Sequence, residues 1–130
     1  MKTRFLIPII LLFGCSVNFA NKANEDFYWF FNKFYNNKDF QLERVVFPLP
    51  GQNKQDMDPR DTIFYWEKEN WRFLTFGDFD CPVTKCLTVN QEESFVIEEN
   101  TREGDPGFVF IRHFEKREGK WFLIYMVEAL

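Results

Sequence analysis

Phe27-Tyr28-Trp29-Phe30-Phe31-Asn32-Lys33-Phe34-Tyr35 sets phenylalanine at 27, 30, 31 and 34, the i, i+3, i+4, i+7 spacing of one face of an α-helix. Asn32, Lys33, Asn36 and Asn37 fall on the other side. Asn24, Glu25 and Asp26 lie just ahead and supply an N-cap and negative charge for the first turn. A helix carrying such a stripe has to bury it against a second layer. One residue breaks the order: at 100° per residue Trp29 falls among the asparagines, which makes its indole a candidate for a ligand contact rather than for the core.

The pattern downstream says what that second layer is. Asn36-Asn37 ends the helix, and Asp39 starts a short turn through Phe40, Gln41 and Leu42. Arg44-Val45-Val46-Phe47 reads as a strand that Pro48 stops, and residues 50–60, with Gly51, Asn53, Asp56, Asp58 and Pro59, read as a polar loop. Residues 62–67 and 71–76 are aromatic and β-branched runs on either side of Lys68-Glu69-Asn70, a hairpin that would set Trp66 opposite Trp71. Residues 87–89, 94–99, 108–114 and 121–127 continue as strands, with turns at Gly104-Asp105-Pro106-Gly107 and Glu118-Gly119. The expected class is α+β, an N-terminal Phe-rich helix packed on a curved antiparallel sheet.

The 130 residues leave room for one such domain, expected over residues 25–130. A hydrophobic fraction of 45% and a charged fraction of 28% exclude a disordered or low-complexity chain. A net charge of −4 argues against a nucleic-acid binder that works by neutralising phosphates. Residues 1–14 follow the plan of an export signal: Lys2 and Arg4, then an apolar run from Phe5 to Phe13, then Gly14 before Cys15. That run is far shorter than the roughly 20 residues a bilayer-spanning helix needs. Leu12-Phe13-Gly14-Cys15 resembles a bacterial lipobox, with Cys15 as the residue that takes lipid and residues 15–24 as anchor and tether. Ordinary cleavage after Ala20 is the competing reading.

With Cys15 acylated, Cys81 and Cys86 are an even pair, and an exported domain meets oxidising conditions in which they form a small disulfide; free thiols are the alternative. A metal site finds little support, because the single histidine, His113, is remote from both. Loss of Lys2 and Arg4 with the leader takes the net charge to −6. Between Asp78 and Asp105 eight acids face only Lys85 and Arg102, a segment that reads as a solvated acidic edge.

Phe27, Phe30 and Phe34, then Asp39-Phe40-Gln41, then Arg44-Val45-Val46-Phe47-Pro48-Leu49, resemble an uncharacterised family of exported, often lipid-anchored bacterial proteins. The resemblance is close over about 25 residues and implies the cone-shaped fold of the nuclear transport factor two-like superfamily. That superfamily contains isomerases, dehydratases, transport adaptors and association modules, built around a pocket between helix and concave sheet. The resemblance therefore implies a fold and an address, and no chemistry.

The residue types say more about shape than about proton transfer. Eighteen of the residues are Phe, which offers burial and no proton to move. Asp61 and His113 are the candidates for an acid or base, His113 if its strand face, shared with Val109 and Ile111, is interior. Tyr65 and Tyr125 are of the right type to donate to an oxyanion or to stack on a flat ligand. Arg44 is a candidate to hold an anion at a pocket mouth, or else to pair with Glu43 or Asp39 while Gln41 caps backbone groups. Arg112 and Glu98 are candidates for a cross-strand ion pair of small worth. No phosphate-binding glycine loop, serine triad order or zinc-helix motif stands in the chain, and no cofactor is expected.

The expected function is that of a non-enzymatic, envelope-facing domain, tied to the membrane through lipid alone, that binds a small apolar or aromatic ligand or a protein partner. Two alternatives stand beside it: a small isomerase or lyase using Asp61 or His113, and a module that forms homodimers through its sheet.

Overall fold

The phenylalanine stripe forms the helix α1, Phe27–Asn36, in this computed structural model, which describes residues 24–76, 87–91, 94–102 and 104–129. Asp26 is its N-cap, its carboxylate accepting from Trp29 N at 2.9 Å. Asn37 closes α1 and opens α2, Lys38–Glu43, by accepting from Phe40 N at 2.9 Å. Phe27, Phe30, Phe31, Phe34 and Tyr35 are all buried. Their rings meet Phe114, Trp121 and Phe76 edge-on or tilted, at centroid separations of 4.6–6.3 Å.

The second layer is one six-stranded sheet. Its strands are β1 Leu49–Asn53, β2 Phe64–Trp66, β3 Leu87–Gln91, β4 Phe95–Arg102, β5 Asp105–Arg117 and β6 Lys120–Ala129, in the order β2-β1-β6-β5-β4-β3. The expected meander holds from β3 to β6, where every neighbour is antiparallel. The sheet as a whole is mixed, because β1 lies parallel to β6. The chain passes from β1 to β2 by a loop, and β2 pairs antiparallel with β1 at the sheet's edge.

Three expectations around β1 are corrected. Residues 44–47 make no strand: Val45 forms a lone parallel bridge to Leu123, and the strand starts at Leu49 and runs into the stretch read as loop. Residues 62–67 and 71–76 do not pair. Trp66 lies opposite Leu49, residues 68–70 form a 3-10 turn, and residues 71–75 are irregular. The cause is competition for backbone partners. β1 takes one side of β2, while the fully buried Gln41 side chain takes both backbone groups of Leu74, donating to its oxygen at 3.0 Å and accepting from its nitrogen at 2.9 Å. The turn read at 104–107 is also shorter than expected, since β5 begins at Asp105 straight after Gly104, whose φ is +79°.

Glu118 and Gly119, at φ 50° and 80°, join β5 to β6 in a two-residue turn of the mirror-image kind that suits twisted strands. Ile124 has no partner where His113 pairs with Tyr125 and Phe114 with Leu123, a bulge that bends the long hairpin over α1. Alternation then decides the faces. Phe110, Arg112 and Phe114 of β5, Val96, Glu98 and Asn100 of β4, and Leu123 and Met126 of β6 are buried towards the helices. Ile97, Ile111, His113, Tyr125 and Val127 are half-buried on the other side.

Candidate functional site

A cavity of about 360 Å³ opens on the helix side of the sheet at the β1–β2 end. Its walls include Asn53, Phe64, Trp66 and Met126 from the strands, and Glu67, Trp71, Arg72 and Leu74 from the irregular segment that follows β2. Two local features build it. β1 and β6 approach so closely at the pair Gly51 and Met126 that a Cβ on residue 51 would stand 1.7 Å from the Met126 carbonyl oxygen and 2.8 Å from Trp66 Cζ3. Glycine alone lets the Trp66 ring rest against β1 there. Elsewhere on the lining the Trp71 indole donates through Nε1 to Gln41 Oε1 at 3.0 Å, and the Phe47 ring meets it edge-on at 5.4 Å. Gln41 therefore bonds α1 through Phe34 O, the backbone of Leu74, and one wall of the cavity.

The mouth of this cavity is polar. Asn53 is buried and donates to Asp56 at 2.9 Å, while its oxygen accepts from the backbone nitrogens of Gln55 and Asp56. Asp56, Glu67, Glu128 and Arg72 are also among the lining residues, Asp56 and Glu67 exposed to solvent. A second depression, of about 490 Å³ and more open, lies under residues 54–62 and is lined by Gln52, Lys54, Met57, Asp58, Pro59, Asp61 and Thr62.

Under α1, among the buried side chains, lies a polar cluster. Tyr35 donates its hydroxyl to Glu98 Oε2 at 2.5 Å, and Asn100 donates to Glu98 Oε1 at 2.9 Å. Arg112 Nη1 stands 3.6 Å from the same carboxylate, and neither side chain of that ion pair is more than 1% exposed. Burial raises the Tyr35 phenol well above its usual range, against the opposing pull of the Arg112 charge. The cross-strand pair expected at 98 and 112 is present, but it lies in the core rather than being of small worth, and breaking a buried pair of this kind strands a charge.

The sequence-derived candidates are dispersed. Tyr65 lines the first cavity, with its side chain half in solvent. Asp61 lies exposed at the second depression. His113 and Tyr125 sit side by side at 5.0 Å on the outer face of the sheet, away from both, and partial burial lowers the His113 pKa below its usual value. The interior placement considered for His113 is thus overturned, because its strand turns 110, 112 and 114 inwards. Trp29 is 52% exposed on α1, with the Lys33 ammonium 5.0 Å from its ring and Phe40 edge-on at 5.9 Å.

Arg44 pairs with neither Glu43 nor Asp39. Its two terminal nitrogens bind the two oxygens of Glu25 at 2.7 and 2.9 Å, Trp121 N donates to the same carboxylate, and Trp121 O accepts from Arg44. That guanidinium ties the chain ahead of α1 to β6. Cys15, Cys81 and Cys86 lie outside the described residues, as do residues 1–14.

Gln41 is what sequence reading misses around the cavity, and Trp66 and Trp71, of a type able to stack on a flat ligand, read there first as a cross-strand pair. Gln41 does cap a backbone group, Phe34 O, as its place at the corner implies, but nothing local tells that its other partners lie about thirty residues on. Tyr35 with Glu98 was missed too, although Tyr35 is on the buried helix face and Glu98 alternates with Val96 and Asn100.

A scan of protein-family models and a search of curated proteins found no match to this chain. Among solved structures, a protein of Bacteroides fragilis NCTC 9343 described as NTF2-like superposes with a TM-score of 0.59 at 22% identity, over 82% of this chain. The chain spans about half the length of that protein, 48%. A helix pair packed on a bent six-stranded mixed sheet, superposable on that structure, gives this chain the α+β cone of the nuclear transport factor two-like fold.

Proposed function

We propose that the chain is a non-enzymatic binding module that takes a small ligand with a flat or apolar surface in the cavity between Trp66 and Trp71. It does so at the cell envelope, exported by residues 1–14 and held to the membrane by lipid on Cys15. The observation that carries the pocket reading is the wall itself: two indoles, one seated on Gly51 and one pinned by Gln41, border an open space of about 360 Å³. Rigid aromatic walls with a few polar groups at the rim are the usual make-up of a small-molecule site. The isomerase or lyase reading needs a carboxylate and a proton donor facing one space. Tyr35 and Glu98 meet in that way, but neither lines either cavity, and His113 and Asp61 lie on different parts of the surface.

The test is to purify the protein from its own host and weigh it under non-denaturing and then denaturing conditions. A stoichiometric extra mass that leaves on unfolding, and is absent from a Trp71→Ala variant, is the expected result. A bare chain that also takes up no aromatic or amphiphilic compound from a mixed library sinks the pocket reading. For the address, Cys15→Ala should move the protein from the membrane to the soluble fraction.

A further inference from the structure

Asn24 and Glu25, where the segment that follows Cys15 meets the domain, are stitched into the sheet. Glu25 N donates to Gly119 O at 2.9 Å, and the Trp121 indole donates to Glu25 O at 3.0 Å. The Glu25 carboxylate takes both terminal nitrogens of Arg44, and Lys116 donates to Asn24 at 2.7 Å. The point at which the chain leaves towards Cys15 is therefore fixed beside the Glu118-Gly119 turn, directly ahead of α1. A chain spans at most about 3.3–3.6 Å per residue, so the nine steps from Cys15 to Asn24 hold this end of the domain within about 32 Å of the cysteine.

The first turn of α1 follows at once, and it carries an aromatic pair that the core does not use. Tyr28 is 61% exposed and Trp29 52%, while Phe27, Phe30 and Phe31 beside them are buried. Trp29 lies on the outer side of the helix, with Phe40 edge-on to its ring at 5.9 Å and the exposed Lys33 ammonium at 5.0 Å. Tyrosine and tryptophan with half their surface free suit a lipid–water boundary, where the ring meets the upper acyl carbons and the polar tip stays among headgroups. A lysine beside them extends its ammonium from the same depth to the phosphates. Charge does not oppose this contact. Lys33 and Lys120 are exposed at this end against Asp26 and Glu118, and Arg117 pairs with Glu115 at 3.0 Å, a balance that spares it the repulsion an anionic bilayer exerts on a chain of net charge −4.

Resting on the lipid anchor at Cys15 proposed above, we propose that the first turn of α1 seats on the membrane surface, with Tyr28 and Trp29 in the headgroup boundary and Lys33 against lipid phosphate. Two rings are too small an area to hold a free protein on a bilayer. The short link to Cys15 makes their insertion an intramolecular step, so a weak contact is enough to fix which end of the domain faces the lipid.

The experiment reconstitutes the full lipid-bearing protein, purified from its own host, into vesicles of phosphatidylethanolamine and phosphatidylglycerol, with and without bromine on the upper acyl chain. Brominated vesicles should quench part of the tryptophan emission, and that part should be lost in Trp29→Phe, whose fold is checked by far-UV circular dichroism. Quenching that persists unchanged in Trp29→Phe overturns the proposal in favour of another face. A protein that floats with the vesicles but is not quenched overturns it too, leaves the anchor standing, and frees the Tyr28 and Trp29 surface for a protein partner. A chain that carries no lipid and does not float with the vesicles removes the anchor and this contact together.

Discussion

Replacing Gly51 by alanine tests whether the close approach of β1 and β6 is what builds the cavity wall. The added Cβ would start 1.7 Å from Met126 O, 2.7 Å from its carbonyl carbon and 2.8 Å from the Trp66 ring, where ordinary contact begins at 3.4 Å. The strands would have to part by about 1.7 Å, which stretches backbone hydrogen bonds of normal length beyond any useful geometry. Three register pairs join β1 to β6, Gly51 with Met126, Gln52 with Val127 and Asn53 with Glu128. Losing two or three ladder bonds at about 1 kcal/mol net each, with about 1–2 kcal/mol of packing strain, sums to about 3–5 kcal/mol. For a domain of this size that is a drop in Tm of about 12–25 °C. Urea unfolding followed by tryptophan emission measures it, with Gly107→Ala as the matched control. There a Cβ would stand 3.5 Å from Asp105 Oδ1, an ordinary contact, and a change below about 0.5 kcal/mol is expected. A Gly51→Ala protein within 1 kcal/mol of the parent would refute the account of the wall.

Gln41→Leu leaves the Leu74 N–H and the Trp71 indole N–H without the acceptor they share, at about 1–3 kcal/mol for each buried group left unmade. Urea titration should show a loss of about 3 kcal/mol, with a shift in emission that is absent in a Trp71→Phe background. The Tyr35 phenol is held protonated by burial at pH values where the unfolded chain ionises it. Its contribution is therefore complete below about pH 10 and is lost as pH rises above it, so Tyr35→Phe should flatten the alkaline fall in stability while costing the bond to Glu98. His113 runs the other way. Its lowered pKa keeps the folded imidazole neutral while the unfolded one gains a proton, so stability is full above about pH 6.5 and falls as pH drops through the folded value. His113→Gln should remove that part of the acid slope, read from denaturation curves between pH 7.5 and 5.

Sequence periodicity determined the parts of this protein whose partners are dictated by pattern alone. The i, i+3, i+4, i+7 phenylalanines had to make a buried helix face, Asp26 and Asn37 were readable caps, and the two-residue turn at Glu118-Gly119 set the register of the long β5–β6 hairpin. Those are local matters, settled by the period of the backbone and by residues within a turn of one another. Trp29 was readable as an outlier on α1 for the same reason, and it is half exposed.

Only the tertiary structure decided β1, the cavity and the buried polar cluster, because each depends on which distant segment wins a given backbone group or charge. Leu49-Pro50-Gly51-Gln52-Asn53 has the composition of a loop, and it is a strand because β6 and β2 flank it and Gly51 lets them close. Trp66 and Trp71 look like cross-strand partners in the sequence, yet Gln41, thirty residues earlier, holds the 71–74 segment and turns the pair into the walls of a pocket. Arg44 and Glu25, and Tyr35 and Glu98, are likewise pairs whose members have nearer charges or acceptors in the chain, while Glu98 and Arg112 were legible as a cross-strand pair and only their burial was not. In a desolvated core the strength of such a contact is set by distance and burial, neither of which is written in the spacing of residues along the chain.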